Sequence, residues 1–259
     1  MRDRRTLIQG LSFLLLFAAG SLAGCGQNRV SNTLAPAPQS PASRLPAINA
    51  GGTISIPFQA SNFTNGLQND FFPLVPRTTW SYRQQTPAGV EIDNVEVTRD
   101  TKSILGVATY VVHDQIFLNG TLAEDTFDWY APDNQGNVWY FGEDTKSFEG
   151  GTVSTEGSWE AGQNGALPGI IMLAHPKVGD TYQQENSPGV VADMARVKDL
   201  STTVTVPYGT FTGCIKTQEW TPLETGSRAF KYYAPGIGIV VEEENKAGGP
   251  VELTGFSTP

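Results

Sequence analysis

Three acidic residues sit close together at Glu124, Asp125 and Asp128. Two carboxylates can cleave a glycosidic bond when they face each other about 5–10 Å apart. On a strand, alternate side chains take opposite faces. Glu124 and Asp128 then share a face with Tyr130, and Phe127 and Trp129 take the other. That pattern predicts the solvated outer face of a sheet. A hydrolase would need Glu124, Asp128 and Glu219 to converge in a cleft. The two histidines, His113 and His175, have no second metal-ligand type at a familiar spacing, and His113 is expected to face solvent. Asp133-Asn134-Gln135-Gly136-Asn137 is rich in oxygen but lacks the spaced carboxylates and closing glutamate of a calcium loop. It reads as a hairpin turn, with Gly136 or Asn137 at positive φ. Cys214 reads as a small buried apolar residue. There is no Gly-x-Ser-x-Gly, His-Glu-x-x-His, phosphate loop or Cys-x-x-Cys. The expectation is a chain that is not an enzyme, with no metal and no cofactor.

The elements that carry these residues are strands. Val, Thr, Tyr, Phe and Trp are plentiful, and 28 glycines supply turns. The pattern is written twice. Phe127-Asp128-Trp129-Tyr130-Ala131-Pro132 matches Phe230-Lys231-Tyr232-Tyr233-Ala234-Pro235 at an offset of 103. Gly106, Thr109 and Val112 match Gly209, Thr212 and Ile215 at the same offset. Gly89-Val90, Asp93 and Val97 match Gly189-Val190, Asp193 and Val197 at an offset of 100. Self-similarity at a near-constant offset is the mark of an internal duplication. Val90–Val97 alternates with a period of two, which assigns its partner Val190–Val197 to a strand as well.

Fold class is therefore all-β: an antiparallel half-barrel or sandwich built from two internally repeated β-meanders. Repeat one spans residues 71–145 and repeat two 176–245, within a single domain of residues 71–259. Residues 146–175 form an inserted linker with a hairpin tip at Glu149-Gly150-Gly151-Thr152. Its run Leu167–Pro176 is apolar and is expected to plug the core or to frame a hydrophobic site. Val138–Phe141 and Ile237–Val241 are apolar on both faces, so each must be covered on both sides. Trp139, Ile170, Ile171, Met172 and Tyr233 are the candidate ligand-binding residues.

The chain opens Met1-Arg2-Asp3-Arg4-Arg5, followed by an apolar core at residues 11–19. Basic start, short apolar core and small-residue flank are the order of an export signal. Leu22-Ala23-Gly24-Cys25 resembles the bacterial lipobox. The resemblance implies cleavage after residue 24 and acylation of Cys25, the lipid attachment site. Gly26 then implies the outer membrane in a two-membrane organism. Residues 25–70 are expected to be the lipidated cysteine and a Pro-, Ala- and Ser-rich tether. Residues 1–24 carry three arginines and one aspartate, so the rest has 14 basic and 25 acidic residues, a net charge of −11. That charge argues against nucleic acid as a partner.

Several motifs occur in order: Phe72-Pro73-Leu74, Thr79-Trp80-Ser81-Tyr82, Val138–Glu143, Gly179-Asp180-Thr181-Tyr182, Pro207–Phe211 and Tyr233–Gly238. Together they resemble a group of exported bacterial proteins, many of them lipoproteins, of unassigned function. The likeness covers residues 71–244 and implies an antiparallel half-barrel, similar in outline to the periplasmic lipoprotein-carrier fold. The functional expectation is a cell-envelope lipoprotein, held to the extracytoplasmic side of the membrane by its lipid. It would bind a lipid or another hydrophobic or amphiphilic small molecule. The alternative is a structural lipoprotein that holds a protein or glycan partner on its outer surface.

Overall fold

The computed structural model describes residues 47–48, 52–64, 66–244 and 248–259. Cys25 and the leader lie outside the described residues. Twelve strands dominate. They are β1 (Thr79–Thr86), β2 (Gly89–Ile104), β3 (Val107–Leu118), β4 (Thr121–Pro132), β5 (Val138–Glu149), β6 (Leu167–Met172), β7 (Thr181–Gln183), β8 (Met194–Val206), β9 (Gly209–Trp220), β10 (Ala229–Ala234), β11 (Gly238–Glu244) and β12 (Val251–Ser257). The β7 strand, short and late in the chain, begins one edge of a single antiparallel sheet. Its order runs β7 to β12, then β1 to β6, and ends on the two-residue strand Glu185–Asn186. Each meander is thus a run of neighbouring hairpins, and the pairing of β12 with β1 joins the end of the second to the start of the first.

The hairpins follow from local chemistry. Leu105–Gly106 and Asn119–Gly120 both have two successive positive φ angles, 49° and 81° in the first and 50° and 82° in the second. Such turns match the right-handed twist of the flanking strands, which is why Gly is favoured there. The expected tip at 149–152 is also present, with Glu149 paired to Thr152. Strand assignment of Val190–Val197 holds from Met194 onward; Val190 to Asp193 form a turn and a single bridge instead.

The two ends of the sheet meet, so the sheet is nearly closed into a barrel. Residues 181–183 pair with β8, and residues 185–186 of the same segment pair with Leu167 and Pro168 of β6. Gln184 sits at the crossing. Its amide donates to Ile171 O on one edge and to Glu219 Oε1 on the other side. Gly169 makes the approach possible, because a Cβ there would lie 2.1 Å from Gln184 O. The apolar run at 167–172 is therefore a strand of the wall, not a plug.

The hydrophobic core lies on both sides of the wall. Outside the lumen, Trp139 and Phe141 of β5 are covered by Phe58 and Phe63, which flank a 3-10 turn at Ala60–Asn62. The four rings lie 5.7–6.1 Å apart across the two elements, mostly edge to face. Such pairs contribute about 0.5–1.5 kcal/mol each beyond their buried area. The cover for this two-sided apolar strand comes from the N-terminal segment. Thr53 also bridges Thr181, and Asn69 is buried. The packed body thus reaches back to about residue 52, ahead of the start at Phe71 that composition suggests.

Candidate functional site

Alternation sends one face of every strand into the lumen. From β3 these are Val112, Asp114 and Ile116, and from β4 Glu124, Thr126, Asp128 and Tyr130, as their cross-strand pairing shows. Glu124 and Asp128 are 2% and 4% exposed. The expectation that they lie on a solvated outer face is wrong. They do share a face with Tyr130, but that face is the inner one. The outer face keeps the aromatics under cationic or polar cover. Lys102 Nζ lies 3.2 Å above the Trp129 ring, and His113 stacks on Phe127 at 4.3 Å. His113 itself is on the outer face, paired with Asp125 at 2.8 Å.

The lumen carries an unusual number of buried acids. Asp93, Asp114, Glu124, Asp128 and Glu143 come from the first meander. Glu185, Asp193, Glu219 and Glu242 come from the second, together with Lys231. Lys231 Nζ lies 3.3 Å from Glu219 Oε2 and 3.6 Å from Glu242 Oε2. Burial lowers its basicity, but those two carboxylates outweigh burial and hold it charged. Glu219 Oε1 is bound in turn by Tyr233, Thr217 and Gln184.

The first wall has no such cation. Tyr140 donates a short 2.5 Å bond to Asp128 Oδ1. Burial pushes Asp128 up to about 6, against the opposing pull of Tyr140 and Tyr130. Glu124 is pushed up to about 8 by burial and by Asp114. Asp114 is raised by burial and by neighbouring Asp93, and Glu185 by burial and Asp193. Burial shifts carboxylates toward their protonated forms in this way, and the Lys231 charge opposes the shift at Asp114, Asp128 and Glu185.

Between the walls is a cavity of about 90 Å³. Its floor holds Asp114, Asp128, Glu185, Glu219 and Lys231. Its apolar rim includes Phe72, Leu74, Trp80, Tyr130 and Ile239. The rim is fixed by the segment Asn69–Leu74, which crosses one end of the barrel. Asn69 donates to Gly136 O and Leu173 O, Gly236 N donates to Asp70 O, and Trp80 Nε1 donates to Ile237 O. Phe72 packs on Tyr130 with ring centroids 5.1 Å apart.

Of the residues expected to bind ligand, Ile171 and Tyr233 line this cavity. Trp139 and Ile170 pair with each other on the outer face, and Met172 is buried away from the cavity. Trp139 instead donates to Asp133 Oδ2. Asp133 Oδ1 accepts from the backbone of Gln135 and Asn137, so the 133–137 segment is a turn, with Gly136 at φ 88°. Cys214 is fully buried and its thiol is raised by burial. The floor residues Asp114, Glu185 and Lys231 were missed. One signal was available: Asp114 stands at a period of two between Val112 and Ile116, which is an inward-facing register.

No protein-family model matches the chain, and no curated protein matches it. Two solved structures are similar in outline. One is a candidate lipoprotein from Parabacteroides distasonis, 15% identical, with a TM-score of 0.43 over 73% of this chain and 99% of that one. The other is a candidate exported protein with a YmcC-like fold from Bacteroides fragilis, 17% identical, with a TM-score of 0.42 over 73% of this chain and 100% of that one.

Proposed function

We propose that this chain is an exported, lipid-anchored barrel that binds a small amphiphilic ligand in its lumen without chemical change. The leader and Cys25 support export and anchoring. One observation carries the binding reading: a cavity with an aromatic rim and a floor on which Asp114 Oδ1 and Glu185 Oε2 have no hydrogen-bond partner. Buried polar atoms are nearly always satisfied, and those that are not mark a place for something else. The volume limits the size. At about 90 Å³ the cavity is smaller than the roughly 150 Å³ apolar void that admits benzene. It suits a polar head and a few carbons, and the long acyl chain of a lipid is too large for it. A non-enzymatic role is part of the proposal.

Native mass spectrometry on residues 26–259, exported and purified without detergent, tests it. The packed body begins at about residue 52, so this piece keeps it whole. A defined adduct of small mass is expected. A bare mass under conditions that preserve the fold would count against a resident ligand. It would favour a second reading, a surface-binding lipoprotein. That reading has one observation behind it. Tyr208, 43% exposed, forms an aromatic cluster with Phe211 and Phe256 at the β8–β9 tip. Crosslinking in the intact envelope would then identify what the cluster touches.

A further inference from the structure

The lumen floor has more acid than base. Four carboxylates and one ammonium line the cavity. Lys231 is already matched by Glu219 and by Glu242, both within 4 Å. Asp114, Asp128 and Glu185 have no ion pair within that distance among the described residues. Two of them also have an oxygen without a well-formed hydrogen bond, Asp114 Oδ1 beside the Asp93 carboxyl and Glu185 Oε2 beside the Trp159 indole, and both side chains are at least 95% buried. Asp128 differs, since Tyr140 occupies one of its oxygens. It supplies charge more than an open lone pair.

We propose that this floor binds the ammonium head of a small amine, with its apolar body against Trp80, Tyr130 and Ile239. The proposal rests on the reading of the lumen as a ligand site. An ammonium brings three donors and no acceptor, and binding it would release the protons that burial holds on Asp114 and Glu185 and leave carboxylates to accept its bonds. Its hydrogen bonds to carboxylates are charge-assisted and short. The Trp80 and Tyr130 side chains that line the cavity supply apolar surface for the carbon body of the amine. A bare metal ion fits less well. Among the described residues no three ligand side chains converge to hold one. A polyatomic cation spreads its donors over a wider span. An anion would meet the acids of the floor, with the one lysine already engaged.

The test is a ligand series on the unmodified mature chain, released from the membrane: propylammonium, propanol and propanoate, sized to the cavity of about 90 Å³ and followed by calorimetry. These share a tail and differ in the head. Propylammonium is expected to bind about tenfold tighter than propanol, and propanoate weakest, as charge-assisted bonds require. Asp114→Asn and Glu185→Gln should each weaken propylammonium about tenfold and leave propanol unchanged. Equal binding of propanol or propanoate would overturn the cation assignment and keep the lumen reading. Binding by none of the three would overturn both. The series on the unmodified chain decides the matter even where a variant does not fold.

Discussion

The two walls of the barrel solve the same problem differently. Asp128 on β4 and Lys231 on β10 lie in similar stretches of sequence 103 residues apart, and both are buried on the lumen side. On the second wall the lysine lies between Glu219 and Glu242 and offsets part of their charge. The first wall has acids at Asp93, Asp114, Glu124 and Asp128 and no basic partner among them. There burial shifts the carboxyls toward their protonated forms, Glu124 to about 8. One wall has an ion pair at its centre and the other has only acids raised by burial. The difference teaches that an inward charge is tolerated either by a partner or by protonation, and the two respond oppositely to perturbation.

The comparison can be broken most forcefully at Lys231. Lys231→Met would leave Glu219 and Glu242 buried without their cation. A loss of about 3–5 kcal/mol in unfolding free energy at pH 7 is expected by urea titration. The matched change Asp128→Asn keeps an oxygen to accept the Tyr140 hydroxyl and breaks no ion pair, so it should cost under about 1 kcal/mol. Equal losses at both positions would remove the contrast.

The seam where the walls meet comes next. Gly169→Ala forces a Cβ onto Gln184 O, and a loss of about 2–3 kcal/mol is expected in the same titration. A neutral result would mean that the barrel does not close there.

Acidity sharpens the contrast further. Glu124 titrates at about 8 in the folded barrel and near 4.3 in an unfolded chain. Between those values the folded state holds a proton that the unfolded state has released, so stability falls as pH rises. The first-wall contribution is fully present below pH about 4 and is lost through pH about 8. Tm should therefore fall from pH 5 to pH 8. Glu124→Gln should flatten that slope and raise stability at pH 8 by about 1–2 kcal/mol. A Tm that rises over this range would contradict protonated acids in the lumen.

The smallest effect belongs to the outer face of the same strands. His113 and Asp125 lie one residue from Asp114 and Glu124 but are partly exposed. Exposed pairs contribute little because water screens them. His113→Ala should change stability by about 0.5 kcal/mol or less, apart from the lost stacking on Phe127. An effect as large as that of Lys231→Met would mean that inside and outside had been confused.

How much was legible varies by residue. Period-two alternation assigned Glu124 and Asp128 to one face and Phe127 and Trp129 to the other, and that division is correct. Which face was the lumen was not legible, because the usual rule that aromatics point inward fails here. Lys102 covers Trp129 from outside, and that contact spans 27 positions of sequence. The cover for Trp139 was equally hidden. It comes from Phe58 and Phe63, in a stretch whose composition alone resembles a tether.

The sequence by itself determined the all-β class, most of the strands and several of their turns. These are local properties: side-chain period and glycine at positive φ. Only the tertiary structure decided that the sheet closes through Gln184, that the acids point inward, and that Asp114 and Glu185 reach one cavity. Those outcomes depend on which edge meets which across the barrel, and closure of a ring is set by contacts far apart in the chain.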